Sequence, residues 1–349
     1  MEMTMLPKER ELAVLNGEKP DRAPVWQING IVAAKTLGYQ WKDVVFDAKL
    51  AVDVMRKFAR MSGTDTLAHT CIEPNGPLYD LGLKAKFVDD NYSNMMSNFY
   101  KDADDIDKKE FYNPRKEEEC PMFWKTSMSK IKLMAEVENE YLTHTFTWSI
   151  MTSAGHLRGV EQLLMDFMLE PEIAKKVMER TGVFIDDVVR TGLEFGADCA
   201  YIADPSASGS LINADMFREF CTPFIKPIIE KWKKDFGAYI YLHVCGETEP
   251  VVEAFKEIKP SLFSFDYLTN MKTIKDIMNN EIVIAGNLNP MDVVWQGTPE
   301  LIMEEAKKCI DIADGCMFYL ATGCETPRDT PLENLQAMKA AVEKYARYD

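Results

Sequence analysis

From about residue 141 to the C-terminus, short apolar runs alternate with amphipathic stretches at a spacing that admits few folds. Branched and aromatic runs such as 199–204, 239–244 and 282–286 read as strands, and the longer stretches between them carry helical periodicity. Strands joined by crossover helices run parallel. Counting back to the N-terminus gives eight strands, at Val25, Leu67, Phe146, Tyr201, Tyr241, Phe263, Ile284 and Phe318. The expectation is an α/β fold, a (β/α)8 TIM barrel forming a single domain over 1–349. A hairpin and loop insertion follows the second strand, at about 76–141, where 83–88 alternates like a solvated strand and 101–119 is dense in charge. A doubly wound sheet is the alternative. No Gly-x-Gly-x-x-Gly turn follows the first strand, however, and no P-loop is present.

A parallel barrel carries its chemistry at the C-terminal ends of its strands. Those ends bear Asn29, Glu73, Trp148 with Ser149, Asp204 with Ser206, His243 with Cys245, Asp266, Asn287 with Asn289, and Thr322-Gly-Cys-Glu325. Residues two apart on a strand share a face, so the imidazole of His243 and the thiol of Cys245 project together before Gly246 breaks the run. Two such ligands are half of a zinc site. On this tripeptide alone, a buried cysteine beside a hydrogen-bonded histidine in a core strand is the favoured reading.

Cys324, just past the eighth strand and across the barrel mouth, supplies the third ligand. Cys316 falls at the start of that strand and Cys309 in the preceding helix. Cys71 with His69 repeats the spacing without a following glycine, which suits pocket lining or core. One histidine and two cysteines leave a coordination position open, the pattern of a catalytic zinc.

Charge and composition remove other classes. The formal net charge is −16, with no basic cluster to offset it, which argues against nucleic-acid binding. No apolar run approaches the roughly 18 residues of a membrane span. The N-terminus lacks the apolar core of a signal peptide, and eight cysteines without framework spacing suit reduced thiols, so the expected location is the cytoplasm.

Five motifs also carry a family likeness: Ala203-Asp-Pro-Ser-Ala-Ser208, Asn213-Ala-Asp-Met-Phe-Arg-Glu-Phe220, His243-Val-Cys-Gly246, Gly286-Asn-Leu-Asn-Pro290 and Thr322-Gly-Cys-Glu-Thr-Pro-Arg-Asp-Thr-Pro331. Together they resemble the uroporphyrinogen decarboxylase superfamily, in its zinc-dependent corrinoid methyltransferase branch, whose best-known members are methylcobamide:coenzyme M methyltransferases. The resemblance implies a (β/α)8 barrel with zinc on His243, Cys245 and Cys324, and a corrinoid (cobalamin) carried by a partner protein. Residues 25–34 contain no arginine, unlike the arginine-rich segment with which the decarboxylases grip a porphyrinogen. Glu325 stands where the coenzyme M enzymes usually have glycine.

The expected activity is methyl transfer between a small molecule and the cobalt of a separate corrinoid protein. O-demethylation of a methoxylated aromatic is the leading case, and coenzyme M methylation the alternative. A metal-free lyase using Asp204 and Asp266, or a barrel that only senses thiols through its metal, are the rival readings. Asp204 and Glu325 are the candidate catalytic groups, and Trp26, Trp148 and Asn287 the candidate substrate-binding residues. Phe123 and Trp124 are further aromatic candidates near the mouth. The stretch from Tyr100 to Trp124 is the candidate corrinoid-protein surface. His144 and His156 are expected to be structural or exposed.

Overall fold

The computed structural model describes residues 5–348 apart from His69 and Asp90. Nine strands occur among the described residues: β1 (Val25–Trp26), β2 (Ala85–Val88), β3 (Asn91–Met95), β4 (His144–Trp148), β5 (Cys199–Ala203), β6 (Tyr239–Val244), β7 (Leu262–Phe265), β8 (Val283–Leu288) and β9 (Phe318–Thr322). Seven of them form one all-parallel sheet in the order β1-β9-β8-β7-β6-β5-β4, and β2 pairs antiparallel with β3. Helices such as Pro171–Glu194, Thr222–Phe236 and Pro299–Ala313 make the crossovers, giving the (β/α)8-type barrel.

The two-residue period of the strands explains the double core. On β5, Ala200 and Ile202 pack outward against the helices, while Cys199, Tyr201 and Ala203 join an inner cluster with Trp26, Phe146, Tyr241, Ala285 and Tyr319. On β6, Tyr239 and Tyr241 follow the inner set, so the same alternation carries His243 and Cys245 up the inside of the barrel.

The strand expected at Leu67 is not formed. The described residues between 64 and 73 run irregularly through that slot between β1 and β4, with Cys71 in the left-handed region at φ 55°. Their polar side chains take the backbone groups that a ladder would use. Val25 N donates to Asp65 Oδ2 at 2.8 Å, and Gln27 N reaches Thr64 Oγ1 at 3.4 Å. Only Asp65 N to Val25 O, at 2.8 Å, resembles a ladder bond. Ala68 and Ile72 nevertheless enter the inner cluster, so the slot is filled.

Asp65 anchors this segment. Its carboxylate also accepts from Arg10 Nη1 at 2.6 Å and from Arg22 Nη1 and Nη2 at 2.7 and 3.0 Å, all three side chains being buried.

The helix Pro7–Leu15 closes the opposite end of the barrel from the cavity described below, inserting Val14 into the inner cluster and burying Glu11 completely. Tyr241 Oη donates to Glu11 Oε2 at 2.8 Å, yet burial, with Asp65 nearby, lifts the Glu11 carboxyl well above its usual range. The folded state therefore keeps a proton that the unfolded chain gives up first. The stability this group contributes is complete below the usual carboxylate pKa and is lost as pH rises through the higher folded value. The slope is about 1.4 kcal/mol per pH unit over that window. Glu11→Gln is expected to flatten this part of the stability profile, as read by denaturant midpoints from pH 5 upward. An unchanged slope would show that Glu11 is not the group responsible.

Candidate metal centre and its cavity

His243, Cys245 and Cys324 meet at one point. Their ligand atoms all lie within 4.8 Å of one another, and this is the only such His/Cys/Asp/Glu group among the described residues. His243 Nε2 is 3.0 Å from Cys245 Sγ, which is 3.2 Å from Cys324 Sγ, too far for a disulfide. His243 Nδ1 is 2.9 Å from Ser264 Oγ on the neighbouring strand, in the register pair His243–Ser264. That bond orients the ring and turns Nε2 toward the thiols.

Two glycines permit the geometry. Gly246 adopts φ 76°, so the chain turns sharply after Cys245, and its N–H donates to Asp266 Oδ2 at 3.0 Å. Gly323 has no room for a side chain, because a Cβ there would stand 2.4 Å from the backbone nitrogen of Tyr267.

The two sulfurs lie within hydrogen-bonding distance of each other, and either can be the donor. The hydrogen bond with Cys245 and the nearby His243 hold the Cys324 thiol down, to about 4, while its bond to Cys324 and burial push Cys245 up. Two sulfurs and an imidazole, with a thiolate already favoured and one side open to a cavity, fit a borderline-soft divalent metal such as zinc. Removing the orienting hydroxyl by Ser264→Ala is expected to weaken metal retention by about 10- to 100-fold, measured by competition with a chromogenic chelator. Unaltered affinity would show that the imidazole needs no such support.

The group lies in the lining of a cavity of about 680 Å³. Phe146, Trp148, Tyr201 and His156 furnish aromatic wall, Ile28 and Ile31 add apolar surface, and Tyr92 and Met95 come from β3. The Trp148 ring is fixed by its Nε1–H, which donates to Asn75 Oδ1 at 2.9 Å. Asn75 Nδ2 donates in turn to Ser93 O at 2.7 Å, and Ser93 Oγ to Glu73 Oε1 at 3.0 Å. Tyr92 Oη donates to Glu325 Oε1 at 3.0 Å, beside Cys324 in sequence.

Of the sequence-predicted residues, Trp148 and Glu325 line this cavity, but several others are used differently. Trp26 is fully buried in the inner cluster, edge-on to Tyr201 at 5.4 Å. Asp204 accepts from Thr152 N and Oγ1, each at 2.8 Å, and from Met151 N at 3.3 Å, fastening the start of the helix Ile150–Arg158. Burial raises its carboxyl to about 6. Asn287 donates through Nδ2 to Asp266 O and Thr269 O, and Asp266 is occupied with the N–H groups of Gly246 and Leu268.

Phe123 and Trp124 are buried away from the cavity. Trp124 Nε1 donates to Pro114 O and its ring packs edge-on to Phe195. No residue of the stretch 100–124 lines the cavity; β3 does instead. His144 is buried with Nδ1 at 3.1 Å from Leu142 O. His69 lies outside the described residues, and its neighbour Cys71 is buried, its thiol pushed up to about 12. Tyr92 and Asn75 are not anticipated from the sequence, and His156, expected to be structural or exposed, lines the cavity. His156 follows Thr152 by one helical turn on the helix leaving β4, a spacing that places both on one face.

The sequence matches the uroporphyrinogen decarboxylase (URO-D) family over residues 6–345. The chain belongs to that family. Among its URO-D relatives, a methylated-thiol–coenzyme M methyltransferase of Methanosarcina mazei is 26% identical over 368 aligned residues, covering 99% of this chain and 92% of the relative. A methylcobamide:CoM methyltransferase of Methanosarcina acetivorans is also 26% identical, covering 97% of this chain and 98% of that protein. The solved structure of a methyltransferase from Methanosarcina mazei superposes with a TM-score of 0.83 at 22% identity, covering 98% of this chain and 99% of that one, which establishes the likeness of fold. These relatives make the URO-D member described here an enzyme. No helix among its described residues is long and apolar enough to cross a membrane.

Proposed function

We propose that this URO-D family member is a methyltransferase that moves a methyl group between a small substrate in the cavity and the cobalt of a corrinoid carried by a separate protein. The observation that carries this reading is the meeting of His243, Cys245 and Cys324 in the lining of an otherwise largely aromatic and apolar cavity. Zinc held by those three residues would supply Lewis acidity toward a substrate oxygen or lower the pKa of a bound thiol. The relatives named as methylcobamide:CoM methyltransferases support the corrinoid part of the proposal. We take residues 1–349 to act as one barrel unit.

The substrate is a methoxylated aromatic, and the transfer is O-demethylation. Trp148, fixed through Asn75, presents a flat face for a ring, and Phe146 and Tyr201 extend that wall. A ring stacked on that wall would bring its methoxy group to the metal-ligand group and leave the methyl for the cobalt to take. Glu325, next to Cys324 and bonded by Tyr92, would accept or return a proton near the departing oxygen. Phenolate leaves far more readily than an alkoxide, which selects an aromatic ether over an aliphatic one. Trp26, Asp204 and Asn287 contribute by holding the scaffold.

Methylation of coenzyme M is the second reading, favoured by the names of relatives aligned along nearly the whole chain. The test supplies the enzyme with reduced corrinoid protein and a methoxybenzoate, then with methyl-corrinoid protein and a small thiol, following the cobalt absorption. Cobalt methylation in the first assay is the expected result. Activity confined to the second moves the assignment to the thiol, and none in either removes the methyltransferase reading.

A further inference from the structure

His156 is a titratable group of the cavity wall that the metal chemistry leaves unused. It stands on the helix Ile150–Arg158, two turns beyond β4, and lines the same cavity as the metal ligands. Its ring centroid is 6.1 Å from that of Trp148, with planes inclined at 41°. Trp148 cannot swing away, because its indole N–H is engaged by Asn75, which the Ser93 carbonyl holds in turn. None of the hydrogen bonds found among the described residues involves the imidazole of His156. Burial holds it down to about 4, so the ring is neutral near pH 7, with one nitrogen able to donate and the other to accept.

A half-buried imidazole with both ring nitrogens uncommitted, beside an immobilised indole face, suits a specific ligand. A bare hydrocarbon ring against Trp148 would exclude water from His156 and give nothing back, at a desolvation cost. A ring bearing a hydroxyl restores the bond. We propose that His156 is a specificity-determining residue that hydrogen-bonds a phenolic hydroxyl on the aromatic substrate, so that the preferred substrates are methoxyphenols rather than simple aryl methyl ethers. This rests on the aromatic-ether reading above and adds the substituent pattern to it. Imidazole accepts from a phenol or donates to a phenolate oxygen, so the same contact serves either form.

The probes are the methoxyphenols and methoxybenzene, which differ by one hydroxyl. Calorimetric titration of the purified protein is expected to show methoxyphenol binding at least about tenfold tighter than methoxybenzene. His156→Phe keeps an aromatic ring on the wall and should erase that difference, weakening methoxyphenol about tenfold and leaving methoxybenzene within about threefold. His156→Gln, which keeps a donor and an acceptor, should restore part of the preference. Two results overturn the inference: no hydroxyl preference in the parent protein, or an equal loss of both ligands in His156→Phe, which is what a packing role alone would give. The aromatic-ether reading is judged separately, by cobalt methylation with the parent enzyme. If that transfer proceeds while His156→Phe keeps its hydroxyl preference, only the role of His156 falls.

Discussion

Cys324→Ala is expected to leave a folded barrel that no longer keeps its metal. The parent should carry about one zinc per chain through purification without added metal, given three protein ligands and an open position. Removing the third ligand should lower affinity by at least about 100-fold, leaving the protein essentially metal-free after dialysis, with methyl transfer lost alongside. The fold should survive, because Cys324 lies in the loop after β9 while the inner and outer clusters do not depend on its side chain. Cys316→Ala is the matched control, since that thiol is not among the converging ligands. Elemental analysis together with circular dichroism decides the matter. Full zinc retention in Cys324→Ala would exclude Cys324 as a ligand.

How much of this centre is legible in the sequence depends on how local the signal is. His243 and Cys245 are legible because strand alternation is a property of adjacent residues, and Gly246 marks where the strand stops. Cys324 follows from strand counting, since a thiol just past the eighth strand must stand at the mouth. Trp26, Asp204 and Asn287 also sit at strand ends, but their side chains are claimed by neighbours remote in sequence. Trp26 is taken by Tyr201 and Tyr241, Asp204 by Thr152, and Asn287 by the carbonyls of Asp266 and Thr269. No local pattern announces those claims. The missing second strand has the same origin, because Asp65 and Thr64 look like strand residues until their side chains bond the backbone of β1.

Asp65→Ala is expected to be the most destabilising single substitution among the polar residues discussed. The variant leaves Arg10 and Arg22 buried with part of their partnership gone and removes the acceptor for Val25 N. Breaking one side of a buried ion cluster costs about 3–5 kcal/mol. Arg10 retains Asp21, at 2.7 Å from Nε, whereas Arg22 loses the one carboxylate with which its salt bridge is seen. Asp65→Asn keeps an acceptor and should fall short of the alanine variant. Denaturant-induced unfolding followed by fluorescence and by circular dichroism measures both. A loss below about 1 kcal/mol in Asp65→Ala would mean that the segment 64–73 holds its slot by apolar packing of Ala68 and Ile72 alone.

The hairpin that walls the cavity has a different standing in the molecule from the strands that carry the metal ligands. Among the described residues β3 pairs only with β2, and isolated two-stranded hairpins are marginal in water. It is tied to the barrel by side-chain bonds of Ser93 to Glu73 and Tyr79, Asn75 to Ser93 and Tyr92 to Glu325, and by ring contacts of Tyr92 with Trp41 and of Phe87 with Phe46 and Tyr79. β6 and β9 are flanked on both sides within a seven-stranded sheet, and their amides open only when the barrel does. Floor and wall are thus expected to open as separate cooperative units. Amide hydrogen exchange should find β2 and β3 turning over through a shallow local opening while β6 to β9 report the global free energy. The wall can then open and reclose many times without disturbing His243, Cys245 and Cys324, and it can accumulate substitutions that redirect its choice of ligand at little expense to those three residues beneath it.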